Sequence, residues 1–472
     1  MGQPRFMLAA CASGSGKTMI TCGILRALTR RGLTVSSFKC GPDYIDPMFH
    51  SRMLHTSSRN LDTFFTDRKM TRYLFARGAK DADISVMEGV MGYYDGMGVT
   101  STAASSSDLA EVTETPVLLI VNVRGMSLSA AALIQGFLSY RTPSRIRGVI
   151  LNQVSGMVYR ELAEQIEKEL SIPVFGYVPK APELTLESRH LGLVMPDEVD
   201  GLNEKLDRLA ETLEETLDID GILKLAASAP EICGNTPEAL ETVLKSAQAI
   251  RKAKPVIAAA KDEAFCFFYE DNLRLLRELG AEIKYFSPVR DKKLPEHTAG
   301  LLLYGGYPEL KARELSENTA MREAIRSALS GGMPCLAECG GFMYLHESME
   351  DMEGQAYPMA GVIEGRAYRT KRLGRFGYIR LEAREEGVLG EGKPLKGHEF
   401  HYFDSTSCGE SFLAKKPNRN RSWACIHGRE NALMGFPHLY YYSNPAFAAE
   451  FLEKCAAYDR SRERINGRKK EC

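Results

Sequence analysis

Arg5-Phe-Met-Leu-Ala-Ala-Cys-Ala-Ser-Gly-Ser-Gly-Lys-Thr18 is a short apolar run that passes at once into a small-residue loop closed by a lysine and a hydroxyl. Residues 5–10 suit a buried strand, and Ile20, Ile24 and Leu28 then recur at helical spacing until Arg31-Gly32 stops the pattern. Strand, glycine loop and helix in that order describe a phosphate-binding unit. Small residues leave backbone N–H groups free to point inward, Lys17 supplies a cation, and Thr18 a hydroxyl for Mg²⁺. The full nucleotide-loop pattern asks for glycine six positions before the lysine, where this chain has Cys11, so Gly14, Ser15, Gly16, Lys17 and Thr18 are left as the candidate ATP-binding residues.

Outward from that loop, strands are expected at 33–38, 84–88, 116–123, 146–154 and 174–178, with helices near 128–139 and 158–170. Strands alternating with helices imply a mostly parallel sheet covered on both faces, with ligands at the carboxyl ends of its strands. A phosphate-transfer site needs oxygen ligands for its metal, and the candidates are Asp43 and Asp46 in Gly41-Pro-Asp-Tyr-Ile-Asp-Pro47, with Glu88 and Asp95 in Met87-Glu-Gly-Val-Met-Gly-Tyr-Tyr-Asp-Gly96. Glu88 closes an expected strand. Asn152, near the end of another, is a candidate for adenine contact.

From about 199 to 254 the sequence turns polar and helical, after which a second alternation begins: strand 255–260, helix 271–279, strands 281–286 and 300–304, helix 311–330 and strand 334–338. The expected fold is α/β with two doubly wound domains: a phosphate-loop domain over 1–198, a helical connector over 199–254, a second domain over 255–450, and a polar tail over 451–472 that frays in solvent. In the second domain, Ala337-Glu-Cys-Gly-Gly341 places a thiol on a tight turn after a strand, where the following helix N-terminus favours the thiolate. His438, in Pro437-His-Leu439, is the candidate base, and the backbone N–H groups of Gly306 and Gly340 are the candidate oxyanion donors. ATP use at one site and a cysteine that liberates a reactive group at another together suit an ATP-dependent glutamine amidotransferase.

Composition restricts the partners. Across 472 residues, 60 Lys and Arg balance 61 Asp and Glu, so no global charge recruits nucleic acid or an anionic membrane. The apolar run over 116–123 falls far short of the roughly 20 residues that span a bilayer. Scattered cysteines and the lack of a leader pattern suit a reducing cytoplasm. His50, His55, His190, His398 and His401 lack zinc-ligand spacing.

With Ser13–Thr18, Phe38–Pro47, Ser58–Asp62, Met87–Gly92, Ser188–Val194, Tyr304–Leu310, Ala337–Gly341, Gly397–Tyr402 and His438 before Ser443-Asn-Pro445, nearly the whole chain resembles the cobyrinate a,c-diamide synthase family. That resemblance implies a dethiobiotin-synthetase-like P-loop ATPase joined to a class I glutaminase-like domain. It implies amidation of two acetate carboxylates of a corrin ring in cobalamin biosynthesis, using two ATP and two glutamines with Mg²⁺. Thr18, Glu88 and an aspartate of the Asp43/Asp46 pair, taken as Asp46, would hold the metal, leaving Asp43, Tyr44 and Asp95 toward the tetrapyrrole. Ammonia would pass internally between the two sites, and a homodimer is left open. Nickel-sirohydrochlorin a,c-diamide synthase is the alternative within the class. Outside it stands a P-loop ATPase switch carrying a non-catalytic glutaminase-like module. Class I glutaminases usually have glutamate two residues after the histidine, and here Tyr440 stands there. A Cys339–His438 dyad without its carboxylate is expected, with weak glutamine hydrolysis until the synthetase site is loaded.

Overall fold

The computed structural model describes residues 2–55, 58–180, 188–189, 192–193, 199 and 201–470, with backbone only for 188–189, 192–193 and 463–470. They fall into two compact units, Met1–Thr236 and Pro237–Cys472.

The first unit is built on β1 (Arg5–Ala10), β2 (Val35–Cys40), β3 (Arg59–Leu61), β4 (Ile84–Glu88), β5 (Val117–Asn122), β6 (Ile146–Asn152) and β7 (Val174–Val178), in the order β3-β2-β4-β1-β5-β6-β7. Every pairing is parallel. β1, β2 and β4 are buried along their whole length, which is why they read as unbroken runs in place of an alternation. The chain leaves β1 for β2 on one side and later crosses to β5 on the other, so the carboxyl end of β1 is the switch point where a crevice opens. Lys39 on β2 and Leu8 on β1 both pair in register with Glu88 on β4, which brings that carboxylate to the mouth of the phosphate loop.

Part of the expected connector is a layer of this unit. The helix Leu202–Thr216 buries Leu202, Leu206, Leu209, Ala210 and Leu213, one apolar stripe. It packs on the helix Lys17–Arg30, with Arg26 paired to Asp207 at 2.7 Å and Arg31 to Glu214 at 2.5 Å. The helices Glu238–Ser246 and Gln248–Ala253 fall in the second unit. β8 (Ser188–Arg189) and β9 (Gly192–Leu193) form a short antiparallel pair, whereas His190, Leu191 and Val194 of the Ser188–Val194 stretch lie outside the described residues.

The second unit centres on β10 (Val256–Ala260), β11 (Glu282–Phe286), β12 (Thr298–Leu303), β13 (Cys335–Glu338), β22 (His427–Arg429) and β23 (Ala432–Gly435), ordered β11-β10-β12-β13-β23-β22 and parallel except at the β22 edge. The helix expected over 311–330 is broken at Asn318 into Ala312–Glu317 and Thr319–Ser330. The Asn318 amide donates to the Pro288 and Asp291 carbonyls, both at 2.8 Å, and so ties the break to the loop after β11.

Two smaller sheets have no counterpart in the sequence reading. One contains β14 (His346–Glu350), β15 (Ala356–Pro358), β16 (Ile363–Arg369) and β19 (Phe403–Ser405); the other contains β17 (Phe376–Ala383), β18 (Leu395–Phe400), β20 (Phe412–Lys415), β21 (Ser422–Cys425) and β24 (His438–Leu439). Most of these strands are short and half exposed; β17 buries only Ile379 and Leu381. The second sheet matters to the site, because β18 and β24 set His398 opposite His438.

The boundary of the polar tail also moves. The helix Pro445–Lys470 buries Phe447, Phe451, Leu452, Cys455 and Ala456, so residues 451–456 belong to the packed unit. Among the described residues no helix is long and apolar enough to cross a membrane.

Candidate active sites

The phosphate loop lies between β1 and the helix Lys17–Arg30, with Gly14 and Gly16 both in the left-handed region at φ +72° and +84°. That conformation is open to glycine at little cost and turns successive N–H groups toward one point. Lys17 Nζ donates to the carbonyls of Met91 at 2.7 Å and Ala12 at 3.2 Å, which places its charge at the loop's mouth. Burial, then the neighbouring Lys39 ammonium, pushes Lys17 down to about 8. The Asn152 amide donates to the Ser15 carbonyl at 2.9 Å and so braces the loop from β6. Asn152 also lines a cavity of about 170 Å³ beside the loop, with Gly14, Gly16, Asn122, Val178 and Pro179.

Behind the loop is a buried charge cluster. Glu88 is fully buried; its carboxylate accepts from Thr18 Oγ1 at 2.7 Å and Lys39 Nζ at 2.8 Å, and pairs with His50 Nε2 at 2.7 Å. Burial alone would raise Glu88, but the Lys39 ammonium and the His50 contact outweigh it and hold the carboxyl well below the usual range. Lys39 also reaches Asp46 Oδ2 at 2.5 Å, and burial of its ammonium is more than offset by the two carboxylates.

Thr18 and Glu88 thus present a hydroxyl and a carboxylate side by side, the hard oxygen donors that Mg²⁺ takes beside phosphate. Asp46 enters the cluster through Lys39, so of the expected set Thr18, Asp46 and Glu88, the first and last are the pair that fits directly. Asp43 Oδ1 accepts from the N–H groups of Ile45 and Asp46 at 2.8 and 3.1 Å, which starts the helix Ile45–Leu54. Asp95 Oδ2 accepts from Gly92 N–H at 3.0 Å and shapes the loop after β4. Tyr44 is buried at 8% exposure. Lys39 has no role in the sequence reading, and His50 enters it only as a histidine without zinc-ligand spacing. The available signal was a lysine inside a strand, Val35-Ser-Ser-Phe-Lys-Cys40, whose burial demands a counter-charge.

In the second unit, Cys339 stands between β13 and the five-residue helix Gly340–Tyr344 with φ +48° and ψ −108°, a conformation that costs a non-glycine residue energy. Its N–H donates to the Gly435 carbonyl at 2.9 Å, fixing the turn to β23. A Cβ on Gly340 would come within 3.2 Å of Gly306 N, so the two expected oxyanion donors are neighbours. A Cβ on Gly305 would stand 3.4 Å from both Cys339 Cβ and His438 Nε2, so thiol and imidazole border the same small space.

Electrostatics alter one expectation here. Burial, followed by the Glu309 carboxylate, pushes the thiol well up and outweighs the opposing pull of the Gly340 N–H at the start of the helix. Burial and the stacked His398 ring, 5.0 Å away, push His438 well down. Both shifts favour the uncharged forms, and a thiol next to an imidazole that can take its proton is the arrangement general-base catalysis uses. Asn272 holds the imidazole's strand, donating to the Leu439 carbonyl and accepting from Tyr441 N–H, both at 2.8 Å.

The expected absence of a carboxylate beside His438 is overturned. Tyr440 packs its ring against Tyr269, with centroids 5.1 Å apart, but Glu338, the residue before Cys339, brings Oε2 to 3.7 Å from His438 Nδ1. An acid at the end of the buried run Cys335-Leu-Ala-Glu338 was its signal in the sequence.

Two domain families match this chain. Residues 6–194 match the CobQ/CobB/MinD/ParA nucleotide binding domain, and residues 256–441 the CobB/CobQ-like glutamine amidotransferase domain. The chain is 40% identical over 459 residues to a cobyrinate a,c-diamide synthase of Caldanaerobacter subterraneus subsp. tengcongensis, covering 96% of this chain and 99% of that one. Proteins of the same name from Listeria innocua and Dehalococcoides mccartyi are each 39% identical, over 94% and 96% of this chain and 97% and 98% of theirs.

Proposed function

The chain belongs to the cobyrinate a,c-diamide synthase family, and from that premise we propose that it converts the a and c acetate carboxylates of cobyrinate to amides, with ATP as activator and glutamine as nitrogen donor. The observation that carries the proposal for this chain is a strained, buried Cys339 that borders the same small space as the buried His438, in a protein that also carries the Lys17 phosphate loop.

In the amidotransferase unit, His438 takes the thiol proton as Cys339 Sγ attacks the side-chain carbonyl carbon of glutamine. The oxygen that gains charge is met by the N–H groups of Gly306 and Gly340. His438 returns the proton to the departing nitrogen, ammonia leaves, and water hydrolyses the thioester to glutamate. In the synthetase unit, a substrate carboxylate attacks the γ-phosphorus of ATP and ADP leaves. Ammonia then displaces phosphate from the acyl phosphate to give the amide. Activation is required because a bare carboxylate is a poor electrophile. Gly14–Thr18 cradle the phosphates, Lys17 neutralises charge on them, and Asn152 keeps the loop in shape. Mg²⁺, when bound, neutralises phosphate charge, and Thr18 and Glu88 are the residues that would hold it, with Asp46 steadied through Lys39. Asp43, Tyr44 and Asp95, on the adjoining loops, are assigned to the tetrapyrrole side.

Glu88→Gln keeps the size of the side chain and removes its charge. The Mg²⁺ concentration for half-maximal amidation is expected to rise about tenfold or more, with a fall in turnover. An unchanged Mg²⁺ titration would move the metal to Asp43, Asp46 or Asp95. The proposal as a whole requires that ADP and glutamate appear in equal amounts with amide when cobyrinate is supplied. Sustained ATP hydrolysis without amide would contradict it.

A further inference from the structure

We propose that Glu338 is the positioning residue of the glutaminase site, the carboxylate that fixes and supports His438 in place of an acid two residues after it. The inference rests on the assignment of Cys339 and His438 to glutamine hydrolysis. Position 440, where such an acid would be looked for, is a tyrosine packed on Tyr269. Glu338 Oε2 lies 3.7 Å from His438 Nδ1, with both side chains almost entirely buried, and among the described residues no other carboxylate stands within salt-bridge distance of that ring. Another acid of this region, Glu399, is directed to His401 and Trp423. Glu338 Oε1 has no hydrogen-bond partner, an arrangement costly to bury and therefore informative.

The backbone explains why the pair is reliable. Glu338 is the last residue of β13 and Cys339 the first of the turn, so the strand that exposes the nucleophile also aims the carboxylate.

In the reaction, the Cys339 thiol proton moves to His438 Nε2, and the imidazolium donates its Nδ1–H to Glu338 Oε2. No proton passes to the carboxylate. Contacts of this kind are often long at rest and shorten once charge develops. Several groups face Glu338: His438 from β24, the Tyr304 hydroxyl from the end of β12, the Tyr441 hydroxyl from the turn after β24, and Cys339 beside it. His398 and His401 face His438 in turn. Burial pushes Glu338 up to about 8, against the pull of Leu439 N–H and Tyr441. Glutamine use should therefore rise with pH through the neutral range as Glu338 ionises.

Glu338→Gln and Glu338→Asp test this in the full chain, with glutamine-dependent and ammonium-dependent amidation measured across pH. Glu338→Gln is expected to lower kcat with glutamine by about 10²-fold or more, with KM for glutamine little changed and the limb that rises with pH gone. Glu338→Asp should recover part of the rate and keep that limb, and both variants should retain ammonium-dependent amidation. A glutamine-dependent rate and pH profile left as in the parent would overturn the proposal, as would an equal loss with both nitrogen sources. Cys339→Ala in parallel separates the two levels: if it too keeps the glutamine-dependent rate, the assignment of the thiol is at fault and not that of Glu338 alone.

Discussion

Cys339→Ala is expected to lose glutamine-dependent amidation on the order of 10⁴-fold or more while amidation with added ammonium salts persists. The nucleophile makes the only covalent bond to glutamine in the proposed sequence, and neither Gly306 and Gly340 nor His438 can replace it. The strained turn at φ +48° relaxes with alanine no worse than with cysteine, and the small side chain leaves the neighbouring β12 and β23 contacts in place, so the fold should survive. Ammonium salts supply the nitrogen directly to the acyl phosphate, a step to which the second unit contributes no chemistry. Loss of both activities in a folded variant would remove Cys339 from a dedicated glutaminase role.

Lys17→Ala is expected to remove amidation from either nitrogen source by roughly 10²-fold or more. The ammonium is held at the loop by the Met91 and Ala12 carbonyls, in a buried setting where a charge acts more strongly than in water. With it gone the transferring phosphoryl group loses a fixed cation, and no acyl phosphate accumulates for ammonia to attack. The contrast with Cys339→Ala is the diagnostic: one variant is rescued by ammonium and the other is not. Near-normal ammonium-dependent turnover in Lys17→Ala would overturn the assignment of the phosphate loop.

The features legible in the sequence were those dictated locally. β1, the Gly14–Thr18 loop and the helix after it follow from an apolar run, glycines needing positive φ and a 3.6-residue period within one short stretch. The turn at Cys339 follows in the same way from a strand ending against two glycines. What escaped depended on partners distant in sequence. Lys39 gains its meaning from Asp46 and Glu88, and Glu338 from a histidine one hundred residues later, so neither pairing has a local signature. The helix Leu202–Thr216 falls within the stretch 199–254 that reads only as a polar, helical connector, and the Arg26–Asp207 and Arg31–Glu214 pairs reveal which unit it covers. The strands of the two smaller sheets escaped because many are two to five residues long, and their alternation is too brief to separate from loop.

One chain is expected to couple glutamine hydrolysis to ATP-driven amidation of a tetrapyrrole. The decisive measurement is to incubate the purified protein with ATP, Mg²⁺, glutamine labelled with ¹⁵N in its side-chain amide, and cobyrinate, and to follow the tetrapyrrole by mass spectrometry. The expected result is two successive carboxyl-to-amide conversions that both carry the label, with none when ATP is omitted. Cobyrinate recovered unchanged while ATP and glutamine are consumed would contradict it.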